Sequence, residues 1–136
     1  MAWSNVWEPQ GVCTRFSGFV SADDYVRSAE DICADPRFDG LRFVVKDLLA
    51  ITGHSIDAEA NDPIGAIRYG ARFTNPNIYL VLLTTDPRLV PFAHPQESSF
   101  LHGLCESRAF ASEDAARRWL AAQPPLAQRV HGAFRL

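Results

Sequence analysis

Lysine is almost absent from this chain: of thirteen basic residues twelve are arginine, and Lys46 is the exception. Positive charge is in short supply as well, with sixteen acids and a formal net charge of −3. Residues 1–68 carry 11 acids against 6 bases and residues 69–136 carry 5 against 7, which leaves no basic footprint for a nucleic-acid partner. Cysteine is sparse, and Cys13, Cys33 and Cys105 are odd in number and without paired spacing. That excludes a disulfide framework and fits a reducing compartment. The longest apolar run, Ile78–Leu83, is far shorter than the roughly 20 residues that cross a bilayer. The first 25 residues lack a basic segment followed by an apolar one, so no signal peptide is expected and a cytoplasmic location is the default. No catalytic or cofactor motif is recognisable, and neither a cofactor nor a metal is expected.

What is present is enough apolar content, 47% of 136 residues, to bury one core. The most informative stretch is Arg108-Ala-Phe-Ala-Ser-Glu-Asp-Ala-Ala-Arg-Arg-Trp-Leu120. A short apolar strand there runs into a helix capped by Ser112, with Glu113 and Asp114 at its positive start. Ala115/Trp119 and Ala116/Leu120 recur at helical spacing. The N-terminus reads as a hairpin, with strands Ser4–Glu8 and Val12–Val20 around a Pro9-Gln10-Gly11 turn. Ser21-Ala-Asp-Asp24 caps a helix whose apolar face is Tyr25, Ala29, Ile32 and Cys33, and Asp35-Pro36 ends it.

Leu41–Val45 and Ile78–Leu83 have the continuous apolar character of central strands covered on both faces, and are expected to be parallel neighbours. Between them Asp62-Pro63 starts a helix carrying Ile64, Ile67 and Ala71, stopped by Asn75-Pro76-Asn77. Glu97–Leu104 reads as a further helix. Helices and strands that alternate after a hairpin predict a single α/β domain with a mostly parallel sheet over residues 1–123, and a tail over 124–136.

The candidate chemistry is thin. Asp23-Asp24, Asp47 and Thr84-Thr85, each placed after a strand, echo a phospho-acceptor layout that would hold Mg²⁺. The needed lysine is missing, because Lys46 adjoins Asp47 and points to the opposite face. Asp23 and Asp24 then read as acids at a helix start. His102 and Cys105 share a helix face and could form a nucleophilic pair, half a zinc site with His94 nearby, or a structural contact. His54 and Ser55, after Gly53, fall in the loop following a central strand, where open α/β sheets bind ligands. Asp86 faces the same edge and also reads as an Asp-Pro turn initiator. Trp119 is expected to pack the last helix on the sheet. Trp3 and Trp7 share one face of the first strand.

Taken together, the pieces resemble the SpoIIAA-like (STAS-like) domains, above all the small bacterial STAS/SEC14-domain proteins. The resemblance rests on Phe16-Ser-Gly-Phe-Val20, Ala34-Asp-Pro-Arg-Phe-Asp39, Leu41-Arg-Phe-Val-Val-Lys-Asp47, Thr74-Asn-Pro-Asn-Ile78 and Arg108-Ala-Phe with Ala115, Trp119 and Leu120, in that order over residues 4–121. It implies a sheet of successive β–α units with the hairpin at its start, and regulatory or lipid-related binding in place of an activity. In the family's phospho-regulated members a serine loop of Asp-Ser-Ser-Gly type precedes the second helix. Here the region reads Ala50-Ile-Thr-Gly-His-Ser-Ile-Asp57; Thr52 and Ser55 supply hydroxyls, but the preceding Asp is absent.

The expectation is therefore a non-catalytic binding or regulatory domain for a small apolar or lipid-like ligand or a protein partner, with Asp47, Thr52, His54, Ser55, Thr85 and Asp86 as candidate contacts. The competing expectation is a small enzyme using His54 or the His102/Cys105 pair. An enzyme needs a concave site with convergent titratable groups; a binder needs only an apolar cleft or face. In the tail Leu126, Val130 and Phe134 recur every four residues beside Arg129 and Arg135, a stripe too short to be stable alone. A homodimer is expected, with the tail or the Trp3/Trp7 strand in the contact.

Overall fold

The N-terminal hairpin forms as its turn requires. Strand β1 (Trp3–Glu8) runs antiparallel to β2 (Gly11–Val20), with Glu8 opposite Gly11 across Pro9-Gln10. Proline fixes φ near −65°, so this turn cannot be one of the primed types that need a positive φ. In this structure, a computed structural model that describes residues 3–56, 78–93 and 106–123, helix α1 (Ala22–Ala34) follows β2. Ser21 and Asp24 close a reciprocal capping box at its start. A 3₁₀ turn over Pro36–Gly40, capped by the Asp35 side chain, leads into β3 (Phe43–His54). Strands β4 (Tyr79–Leu83) and β5 (Glu106–Phe110) and helix α2 (Glu113–Ala122) complete the described elements.

The five strands form one sheet in chain order, β1-β2-β3-β4-β5, with only β1 antiparallel. The expected α/β class, the hairpin and the parallel neighbours at Val44–Val45 and Val81–Leu83 are all present. α1 covers one face, where Tyr25 packs with Phe16, Val20, Leu48 and Leu82, and Ile32 packs with Val12, Phe38 and Val44. α2 covers the other, where Ala116 meets Cys13, Val45, Val81 and Leu83. Each fully buried aliphatic or aromatic side chain in these clusters contributes roughly 1.5–3 kcal/mol of transfer free energy.

Trp119 packs on this second face as expected, half-buried. Its ring stands edge-on to Tyr79 at 5.5 Å and lies 5.7 Å from Phe110. Gly11 is required by close approach, since a Cβ there would fall 2.3 Å from the Phe43 ring.

One expectation is extended and another corrected. Tyr25 and Ile32 are buried on α1, Cys33 packs half-buried beside Ile32 and Ala29 is half-buried, but the buried face also includes the polar Ser28. Burial of Ser28 is tolerated because its hydroxyl accepts a hydrogen bond from Lys46 Nζ at 3.1 Å and donates one to the Tyr25 carbonyl at 2.7 Å. The third strand is far longer than Leu41–Val45. It runs twelve residues to His54, because the ten-residue β2 offers a ladder well past the point where β4 stops. Asp47 is therefore inside a strand and not at its end, and Ala50–His54 are ladder residues and not loop.

The readings placed on residues 57–77, 94–105 and 124–136, among them the Asp62 and Glu97 helices, the His102/Cys105 pair and the tail stripe, lie outside the described residues. Among the described residues no helix is long and apolar enough to cross a membrane.

Candidate functional site

The C-terminal ends of the parallel strands β2 to β5 point the same way, towards the side where open α/β sheets bind ligands, with β2 and β3 reaching further than β4 and β5. β3 brings His54 and Ser55 to it, and the turn after β4 brings Thr84, Thr85 and Asp86. His54 Nδ1 accepts the Ile56 N–H at 3.2 Å, so the ring proton sits on Nε2 and is donated to Asp86 Oδ2 at 2.9 Å. The His54 side chain is only 5% exposed. Arg88 grips the same carboxylate with Nε and Nη2, at 3.1 and 2.8 Å, and with its backbone N–H at 2.9 Å. The Asp86 N–H is held in turn by Thr84 Oγ1 at 3.0 Å. These donors, Arg88 first and His54 with it, hold the Asp86 carboxyl far below the usual carboxylate range, and Asp86 raises the Arg88 guanidinium.

In this arrangement both nitrogens of His54 are committed, one to backbone and one to Asp86. A general base must instead present a free nitrogen to its proton source. Ser55 is also engaged locally: its N–H donates to the Val20 carbonyl at 3.0 Å and its Oγ accepts the Ala22 N–H at 3.3 Å. It supplements the cap of α1. His54 and Asp86 thus tie the turn after β4 to the end of β3, and Ser55 ties β3 to α1. Of the six candidates His54 and Asp86 meet, and Ser55, next to His54 in the chain, bonds instead to β2 and α1.

The other three do not join them. Thr52 is exposed on β3 where the register passes from Gly18–Ile51 to Phe19–Gly53, making it the extra residue of a bulge. Thr85 is exposed on the turn after β4. Asp47 lies on the α2 face, where Arg15 Nη1 donates to its Oδ2 at 2.7 Å and the Leu49 N–H to its Oδ1 at 3.0 Å.

Asp47 belongs to a second charged cluster that joins α2 to the sheet. Arg15 also donates to both oxygens of Glu113, at 3.2 and 3.3 Å, and Arg117 donates to both oxygens of Glu8, at 2.9 and 2.8 Å. Hydrogen bonding from Arg15 lowers the Glu113 carboxyl below its ordinary value, and Glu8 raises the Arg117 guanidinium. Three carboxylates and two guanidiniums satisfy one another here.

On the α1 face Lys46 is buried, donating to Ser28 and, at 3.4 Å, to Thr14 Oγ1. Thr14 in turn donates to Asn5 Oδ1 at 2.6 Å. Lys46 and Asp47 do point to opposite faces, and no phosphoryl site is assembled between them. Burial pushes both the Cys13 and the Cys33 thiols up, away from the reactive thiolate. Among the described residues no group of three metal-ligating side chains converges.

The structural feature that sequence reasoning missed is the ribbon formed where β2 and β3 run past the end of β4. Two register shifts, between Arg15 and Ser17 and between Gly18 and Phe19, put two additional residues into β3, and Gly18 adopts φ +68° there. Only glycine takes that conformation without strain. The Phe19 ring lies over Gly53, 3.4 Å from where a Cβ would be. Phe19 is 59% exposed and Leu49 is 38% exposed. Sequence alternation alone does not announce it, because both register shifts fall within the stretch from Phe16 to Val20.

No family model, curated protein or solved structure matches the chain.

Proposed function

We propose that this chain is a STAS-like binding module that performs no covalent catalysis and engages a protein partner through the apolar end of the β2–β3 ribbon. The observation that carries the reading is the exposure of Phe19, at 59%, where the β2–β3 ribbon runs past the end of β4, with Leu49 exposed nearer its base. The outward exposure of Phe19 favours a protein surface over a small apolar or lipid-like molecule. The N-terminal hairpin, the parallel strands in chain order and the helices after β2 and β5 agree with the architecture that the STAS-like resemblance implies, and support that part of the reading. The polar groups at the same edge support it as well, since His54, Ser55 and Asp86 are spent on holding the edge together.

Native mass spectrometry of protein freshly purified from its own host tests this reading. The expected result is a bound protein that is lost in the Phe19→Ser variant. A co-purified small apolar molecule lost in the same variant would replace the protein partner with the small-ligand reading. Turnover abolished by His54→Ala in a folded variant would support the enzyme reading instead.

A further inference from the structure

We propose that the outer edge of β1 pairs with β1 of a second copy, antiparallel about a two-fold axis, so that two five-stranded sheets become one continuous sheet. β1 begins the strand order, and among the described residues no strand pairs with its outer side. Exposed edges are normally blunted by lysine, proline, bulges or inward charges. β1 has none of these: its six residues, Trp-Ser-Asn-Val-Trp-Glu, pair one-to-one with β2 from Trp3 to Glu8 without a register shift. Its only charge, Glu8, is at one end and already bound by both nitrogens of the Arg117 fork.

The strand is also complementary to itself. Paired about Asn5, Trp3 of one copy stands opposite Trp7 of the other on one face, and Ser4 stands opposite Val6 on the other face. The first is an aromatic cross-strand pair of the kind that stabilises sheets. The second covers Val6, which is 47% exposed in the single chain. The opposite edge of the sheet is poorly suited to the same operation. Arg108 is exposed at the middle of β5, so a two-fold pairing there would set two guanidiniums against each other. An antiparallel two-fold contact is closed, so the assembly stops at two chains.

Light scattering on the full chain, over a range of concentrations, decides this. The parent and Val6→Thr are expected at twice the chain mass. Val6→Lys places like charges beside the axis and is expected at one chain mass with an unchanged circular-dichroism spectrum. Should Val6→Lys fail to fold, Ser4→Lys, also exposed beside the axis, carries the same expectation. A parent that stays at one chain mass throughout overturns the proposal. So does a folded lysine variant that remains dimeric, which would place the contact elsewhere, the tail included.

Discussion

Arg117 and Glu8 are 109 residues apart in the chain and joined by two parallel hydrogen bonds of 2.9 and 2.8 Å. The pair fastens α2 to the first strand, and the Arg117 guanidinium lies 5.5 Å from the Phe43 ring. Bidentate geometry lifts it above an ordinary surface ion pair. A double-mutant cycle of Arg117→Ala and Glu8→Ala is expected to give a coupling of about 1 kcal/mol in urea unfolding. Additive losses would mean that the fork contributes no more than its separate side chains.

Trp119 gives a second measurement. It touches Tyr79 and Phe110 and carries Arg108 over its ring at 5.5 Å, yet keeps part of its surface in water. Trp119→Ala is expected to cost about 3 kcal/mol, the lower end of the range for aromatic truncation. A variant melting within a degree or two of the parent would place the residue at the periphery.

Lys46 makes the opposite prediction. Its amino group is buried and donates to the hydroxyls of Ser28 and Thr14, each of which also donates onward to another acceptor. Without the amine, Ser28 still donates to the Tyr25 carbonyl and Thr14 to Asn5, and an apolar side chain of similar length avoids the cost of burying a charge. Lys46→Met is expected to lie within about 1 kcal/mol of the parent or above it in urea unfolding. A loss of several kcal/mol would make the amine a required part of the core.

Acid should destabilise the fold through identifiable carboxylates. Glu113 and Asp86 are both lowered in the folded state, and Asp35, held by Arg37, is lowered to about 2. A depressed folded pKa contributes stability that is complete above the unfolded value, about 4, and is lost as pH falls towards the folded one. The urea midpoint should therefore fall between about pH 5 and pH 2, and less steeply in Glu113→Gln and Asp86→Asn. Slopes equal to the parent's would show that these groups titrate alike in both states.

Much of this architecture was legible because local signals agreed: the Pro9 turn, the Ser21 and Ser112 caps and the apolar strands each act over a few residues. The length of β3 was not legible, because residues 48–54 are strand only by virtue of β2 beside them, a contact made 32 residues or more away. Local pattern also misplaced Ser28, whose burial depends on an amine from another element.

At the site, Asp86 was readable as a turn initiator but its grip on Arg88 was not. The tripeptide Asp-Pro-Arg occurs twice, at Asp35 and Asp86, and folds alike both times: the carboxylate takes the arginine N–H at 2.9 Å in each, and Nη2 at 2.8 Å. That repetition was available in the sequence. The exposure of Phe19 beside Gly53 was not, since it depends on two bulges that no residue announces.

The central claim is that the β2–β3 ribbon is where this protein meets its partner. Its most direct test is a photo-crosslinking amino acid placed at Phe19, at Leu49 and, as a control, at Glu30 on the exposed side of α1, followed by irradiation in the native host. The account predicts one discrete protein adduct shared by positions 19 and 49 and absent at 30. Adducts equal at all three positions, or none at 19 and 49, would contradict it.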